Sequence, residues 1–328
     1  MGFGASKLAS SDRMMNVVYD LMNETNFAGL PEHEEMLSDA VRVSAYHQGI
    51  HANVNEGDVV LDLGTGTGLL AFMAAKAGAS KVYAVEHSEF IEVAREIAEH
   101  NSAEHGEFAN IEFVQANSRE FTPPEPVDVV IHEQMGDELF NENMIENLLD
   151  VRDRVLAPGG QLLPSRFQLF VEPVSFHEPM RVRRFWNIEL PDGIDLSATE
   201  HSYAAAKFDT GRTEQLWIRP GSVATAMGIR SPLLDFDLNT LESVESLHVD
   251  HVVKRQAQKD MIVDGLAVWF TASFDDETTL TTSPLAPVTS WGNRLFRVDE
   301  EISAGESRRW HVNLGNIVDP ATWQVEKL

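Results

Sequence analysis

The stretch from Val59 to Glu86, VVLDLGTGTGLLAFMAAKAGASKVYAVE, leaves this chain few folds to choose from. Val59-Val60-Leu61 is an apolar run short enough for a buried strand. It breaks at Asp62 into Gly64-Thr65-Gly66-Thr67-Gly68, after which Leu69 to Ala77 reads as a helix. Gly78 suits the C-terminal cap of that helix, because glycine enters the left-handed region without a Cβ clash. Lys81 to Val85 is a second apolar strand, closed by Glu86. A strand, a glycine turn, a helix and a strand ending in an acid form the nucleotide-binding half of a doubly wound sheet.

The spacing narrows the ligand. The glycines at 64, 66 and 68 are one residue tighter than the dinucleotide pattern, and Asp62 stands two residues before the first. A pyrophosphate needs a helix N-terminus turned toward it. A ligand without phosphate needs close backbone approach and acids for an amino group and a ribose, and Glu86 can accept from both ribose hydroxyls. S-adenosylmethionine fits these features better than NAD. A later Ala157-Pro158-Gly159-Gly160 turn before an apolar strand agrees with a methyltransferase sheet.

With 328 residues the chain can bury two sizeable cores. No apolar run approaches the roughly 20 residues of a membrane span, and the first residues lack the apolar core of a secretory signal. Cysteine is absent, which excludes disulfides, thiolate metal sites and a cysteine nucleophile. The expected location is the cytoplasm. Asp and Glu outnumber Lys and Arg 52 to 25, for a net charge of −27, which opposes non-specific nucleic-acid binding and favours cationic partners.

Along the chain, a helix is expected within residues 1–25, then a second from Pro31 with Leu37, Val41 and Ala45 along one face. Ser88–His100 reads as a helix, Ile111–Gln115 and Val127–His132 as strands, and Asn143–Leu156 as a helix. After Pro164 alternating segments take over, at 166–174, 265–274, 294–302 and 308–315. The expected fold is therefore α/β plus β: a Rossmann-like sheet followed by an antiparallel β-barrel. Its domains are N-terminal helices covering the cofactor (1–50), a cofactor-binding domain (51–163) and a substrate domain (164–328) with a helical excursion at about 178–205.

Ligands of open α/β sheets bind beyond the carboxyl ends of the strands. The fourth strand ends at Glu133, and the following loop reaches Glu142. Two carboxylates converging on one pocket match the planar fork of a guanidinium. They can hold it and draw its positive charge toward one nitrogen, leaving the other to attack a methyl sulfonium in line. In a chain so rich in acids, Glu133, Glu138 and Glu142 taken without context read rather as solvated side chains. His47 and His51 lie one helical turn apart, but no third ligand is in view and no metal site is expected. Trp186, Trp217, Trp269, Trp310 and Trp323 read as core or interface residues.

Three motifs, in order, resemble the protein arginine methyltransferase family. His33-Glu34-Glu35-Met36-Leu37-Ser38-Asp39 through Arg42 is similar to its cofactor-covering helix. Glu133-Gln134-Met135-Gly136 through Leu139-Phe140, Glu142 and Met144 is similar to its double-glutamate loop. Thr282-Ser283-Pro284 and Thr289-Ser290-Trp291 are similar to its barrel-side loop. By position, the resemblance implies that Arg42 pairs the cofactor's carboxylate, that Asp62, Gly64 and Gly66 line its backbone site, and that Glu86 holds its ribose. His33 and Met36 would lie over the cofactor. Glu133 and Glu142 would clamp the substrate guanidinium beside Met144, with Trp291 walling the pocket. The excursion at 178–205 lies where the family carries its dimerisation arm, which implies a homodimer or higher homo-oligomer.

The chain departs from the family pattern at four places. Gln134 replaces a tryptophan, and Ser290 replaces a histidine that would face Asp39 in a proton relay. The adenine-side acid falls near Asn117-Ser118, which leaves Ser118 to recognise that end. The aromatic pair of the N-terminal helix is reduced to Phe27. The expected reaction is methyl transfer from S-adenosylmethionine to an arginine guanidino nitrogen, and the expected partner is a small molecule or peptide carrying arginine. The reading leans to free L-arginine. Its alternatives are arginine within a polypeptide and a non-catalytic cofactor-binding scaffold.

Overall fold

The computed structural model describes residues 29–140, 143–208, 215–218, 221–228 and 231–328. The helix expected within 1–25, Phe27 and Glu142 all lie outside them. The chain divides into two compact units. One comprises Met1–Gln134, Asn147–Ser165 and Ser273–Thr279, the other Met135–Glu146, Arg166–Ala272 and Leu280–Leu328.

The first unit opens with helices α1 (Leu30–Ser38) and α2 (Ala40–Asn53), followed by strand β1 (Val59–Leu63), helix α3 (Leu69–Ala77) and strand β2 (Lys81–Glu86). Helix α4 (Ile91–Asn101), strands β3 (Ile111–Gln115) and β4 (Val127–His132), helix α5 (Met144–Val155) and strand β5 (Leu156–Leu163) follow. The sheet order is β3-β2-β1-β4-β5, with every pair parallel. β1 lies at the centre with Val60, Leu61 and Leu63 buried, as a near-continuous apolar run in a doubly covered sheet requires. Asp62 is in register with Ala84 on β2 and Ile131 on β4, so the glycine turn leaves from mid-sheet.

The helical stretch expected from Pro31 is broken at Asp39, and its buried face is a different one. Asp39 has extended backbone, and its side chain accepts from the Arg42 amide at 3.0 Å, capping α2. Such a cap satisfies an orphan amide and starts a new helix. Leu37 is 45% exposed, while His33, Arg42, Tyr46 and Ile50 are buried. Tyr46 decides the orientation of α2: its ring packs edge-on against Phe274, and its hydroxyl donates to the His132 carbonyl at 2.8 Å. Burying Tyr46 and Ile50 outweighs burying the smaller Val41 and Ala45, at roughly 25 cal/mol per Å² of apolar surface.

The second unit is antiparallel and barrel-like. Its strands are β6 (Arg166–Phe176), β7 (Gln215–Ile218), β8 (Val223–Ala226), β9 (Leu234–Asp237) and β10 (Asp250–Gln256), then β11 (Met261–Ser273), β12 (Thr279–Thr281), β13 (Asn293–Ile302), β14 (Ser307–Asn313) and β15 (Gln324–Lys327). One sheet runs β7-β13-β11-β6-β8, with β12 on β11 and β9 on β6, and a second runs β10-β14-β15. Phe170, Val174, Trp269 and Leu295 fill the first sheet's interior, where Phe170 and Trp269 stack at 5.6 Å. Trp310 and Trp323 are buried as expected for core residues, but Trp217 is 53% exposed. Alternation explains this: its neighbour Ile218 takes the inward position on β7. The excursion at 178–205 consists of short 3-10 turns leading to helix α6 (Tyr203–Phe208), with Val182, Phe185 and Ile194 exposed.

Candidate active site

In the first unit, a cleft opens over the glycine turn. Its walls include His33, Met36, Arg42, Gly64, Gly66 and Glu133, which the sequence had assigned to cofactor and substrate. Leu37, Val43, Tyr46, Thr65, Thr67, Leu69 and Leu70 complete it. Tyr46 could have been found from its place one turn after Arg42. Thr65 and Thr67 could have been found as the residues between the glycines.

The turn is shaped by positive φ at Gly64, Gly66 and Gly68. Gly66 is also required by space, since a Cβ there would lie 2.9 Å from the His33 ring. That ring is itself held by stacking on Phe90, with centroids 3.9 Å apart. Asp62 lies beneath the turn, fully buried, and not on the cleft wall. Its Oδ2 accepts from the Thr65 hydroxyl at 2.5 Å and from the Ala71 amide in the first turn of α3 at 3.0 Å. Burial raises its carboxyl from 3.8 to about 7, over the opposing effect of those two bonds.

Glu86 is oriented by the chain. Its Oε2 accepts from the Gly66 amide at 3.2 Å, and its Oε1 from the Ser88 amide and hydroxyl at 2.9 and 2.8 Å. Three of the about four lone-pair positions of the carboxylate are thereby used, and one stays open to an incoming hydroxyl. Ser118 is not among the cleft residues; its carbonyl accepts from Arg154 at 3.0 Å. Asp39 serves as the cap of α2.

At the end of β4 the geometry brings together two residues expected to serve different ligands. Arg42 forms an ion pair with Glu133, and both side chains are largely buried, at 10% and 16% exposure. The Arg42 guanidinium also lies against the Met36 sulfur, at 3.1 Å. The pairing follows from Tyr46, which binds the carbonyl of His132 and so brings the preceding turn of α2 to the next residue, Glu133. His132 Nε2 donates to the Pro164 carbonyl at 2.8 Å, and burial lowers its pKa to about 4. It is neutral near pH 7 and adds no charge beside Glu133.

In the second unit, Met135 to Phe140 forms a tight turn with a bridge between Gly136 and Leu139. The Trp291 indole N–H donates to the Met135 carbonyl at 2.7 Å, and its ring packs edge-on against Phe270 at 5.9 Å. Only 8% of Trp291 is exposed. Met144 is fully buried and Ser290 half-buried. Glu138 is not solvated: it is buried and paired with Arg294. His47 and His51 sit on α2 with rings 4.3 Å apart; burial, then the neighbouring His47, lowers the pKa of His51. Among the described residues, no helix is long and apolar enough to cross a membrane.

The cleft over the turn fits S-adenosylmethionine. It approaches a ligand with bare backbone at Gly66, and its wall carries Arg42, whose guanidinium can pair with a carboxylate.

A methyltransferase-domain family pattern matches residues 60–160. Protein arginine N-methyltransferase 6 of Xenopus tropicalis is 32% identical over 281 residues, 84% of this chain and 80% of the relative. Histone-arginine methyltransferase CARMER of Drosophila persimilis is 34% identical over 272 residues, 80% of this chain and 49% of that protein. Among solved structures, the Trypanosoma brucei PRMT1 enzyme-prozyme heterotetrameric complex with AdoHcy aligns with a TM-score of 0.69 and 28% identity, covering 88% of each chain. Arabidopsis thaliana protein arginine methyltransferase 10 aligns at 0.70 and 25%, over 93% of this chain and 97% of that one.

Proposed function

The chain belongs to the protein arginine methyltransferase family and is an S-adenosylmethionine-dependent arginine N-methyltransferase; on that premise we propose that its substrate is arginine within a polypeptide. The observation that carries the reading is Glu133, at the end of β4, on the wall of the same cleft as the glycine turn. The lean toward free L-arginine is dropped, because the curated relatives named above act on arginine in proteins and histones. A net charge of −27 supports attraction of basic peptides through long-range steering.

When bound, S-adenosylmethionine supplies an electrophilic methyl group on a sulfonium. Gly64 and Gly66 would let the cofactor approach the backbone, His33 and Met36 would lie over it, and Glu86 would accept from its ribose. Arg42 would exchange its Glu133 partner for the cofactor's carboxylate, while Ser118, outside the cleft residues, would reach the adenine end only from beyond them. Glu133 and Glu142 hold the substrate guanidinium in its planar geometry, concentrate positive charge near one nitrogen and leave the other to attack. Met144, Trp291, Ser290 and Asp39 shape the substrate side. With serine at 290, the proton leaves late, to water or to Glu142. The apolar side chains exposed along 178–205 support self-association there. The absence of cysteine supports a cytoplasmic location.

Mass spectrometry of the protein with S-adenosylmethionine tests this, offering an arginine-rich peptide beside free L-arginine. Methylation of the peptide is expected. Methylation of free arginine alone would overturn the polypeptide reading. Activity on neither, with cofactor still bound, would favour the scaffold.

A further inference from the structure

The turn that separates Glu133 from Glu142 carries two acids of its own, Asp137 and Glu138, and both are committed to the barrel-side loop. Asp137 accepts from the Gly292 amide at 2.7 Å. Arg294 Nε donates to Glu138 Oε1 at 2.7 Å, and its Nη2 donates to the same oxygen. Its remaining nitrogen, Nη1, donates to Gln215, while the guanidinium lies 5.4 Å from the Trp217 ring. With the Trp291 bond to the Met135 carbonyl, three ties join residues 135, 137 and 138 to 291, 292 and 294. Gly292 leaves room for the Trp217 ring, since a Cβ there would lie 3.1 Å from it.

Glu138 is the costly member of this clasp. Its side chain is 0% exposed and that of Arg294 17%, so both charges have given up most of their water. Such a pair adds little net stability over an apolar pair of the same volume. What it supplies is direction: a guanidinium gripped by a carboxylate, a side-chain amide and an indole face has one orientation. We propose that Glu138 and Arg294 are a positioning pair. They hold the turn in register with Trp291, the residue assigned to the wall of the substrate pocket. The pair touches no reacting atom. It acts on the placement of Trp291 against the substrate, where small displacements cost large factors in rate. This role rests on the arginine-methylating reading of the site.

The test compares Glu138→Gln, Arg294→Met and the double variant Glu138→Met/Arg294→Met with wild type. It reads kcat and KM on an arginine-rich peptide, Kd for S-adenosylhomocysteine by calorimetry, and the thermal midpoint. Each single variant is expected to lose at least about tenfold in kcat, with KM changed less and the Kd for S-adenosylhomocysteine within about twofold. The double variant leaves no buried charge unpaired and is expected to recover the wild-type thermal midpoint while its kcat stays low. A double variant that recovers both midpoint and kcat would overturn the proposal, leaving the pair a structural contact. So would a parallel loss of S-adenosylhomocysteine affinity. A wild-type protein inactive on peptide and free arginine alike would instead overturn the parent reading, and this role with it.

Discussion

Substituting Asp62 by asparagine isolates the one buried carboxylate that supports the glycine turn. Asp62 Oδ2 accepts from Thr65 and from the Ala71 amide, while its Oδ1, also buried, has no hydrogen-bond partner among the described residues. Burial raises the carboxyl from 3.8 to about 7. Between those values the folded protein keeps a proton that the unfolded chain has released. For an acid raised in this way, the stability is fully present below the unfolded pKa and is lost as pH rises through the folded one. The shift spans about three units, and at about 1.4 kcal/mol per unit it amounts to at most about 4 kcal/mol. Asparagine has the same shape, keeps an acceptor for Thr65 and Ala71, and cannot ionise. Urea unfolding followed by tryptophan fluorescence should find wild type and Asp62→Asn similar near pH 4. At pH 8 the variant should be the more stable, by up to about 4 kcal/mol. Equal pH slopes for the two proteins would refute a buried, proton-holding Asp62.

Glu133→Gln removes a charge from the proposed clamp and should lower kcat on an arginine peptide by roughly a hundredfold or more; wild-type turnover would remove Glu133 from the mechanism. Gly66→Ala puts a Cβ into a backbone at φ +51 and against His33. The strain of about 1–3 kcal/mol should weaken S-adenosylhomocysteine binding by roughly tenfold or more in calorimetry, and unchanged affinity would show that the turn is not a close backbone approach. If the acidic surface steers basic substrates, KM for an arginine-rich peptide should rise several-fold between low salt and about 0.3 M. A neutral arginine peptide should show far less change, and identical salt profiles would contradict the steering.

The features legible in the sequence were the local ones. Glycines at 64, 66 and 68, flanked by apolar runs, specify a strand–turn–helix–strand unit because each constraint acts within a few residues: positive φ, helix period, strand burial. Alternation after Pro164 marked the antiparallel unit for the same reason. The double-glutamate and barrel-side loops were legible as family motifs, and it was that resemblance, not the residue types alone, that implied guanidinium chemistry.

What the tertiary structure alone decided was which charge meets which. Arg42 reaches Glu133 because Tyr46 docks α2 on His132, and Glu138 reaches Arg294, 156 residues away, across a turn. In an acid-rich chain every arginine has many candidate partners, and linear spacing does not rank them. The same holds for Asp62, whose raised pKa comes from burial, and for the break at Asp39, where a cap and the larger buried face of Tyr46 overrode the apolar stripe of Leu37, Val41 and Ala45. Local propensity acts along the chain, whereas desolvation and ion pairing depend on distances that exist only after the chain has folded.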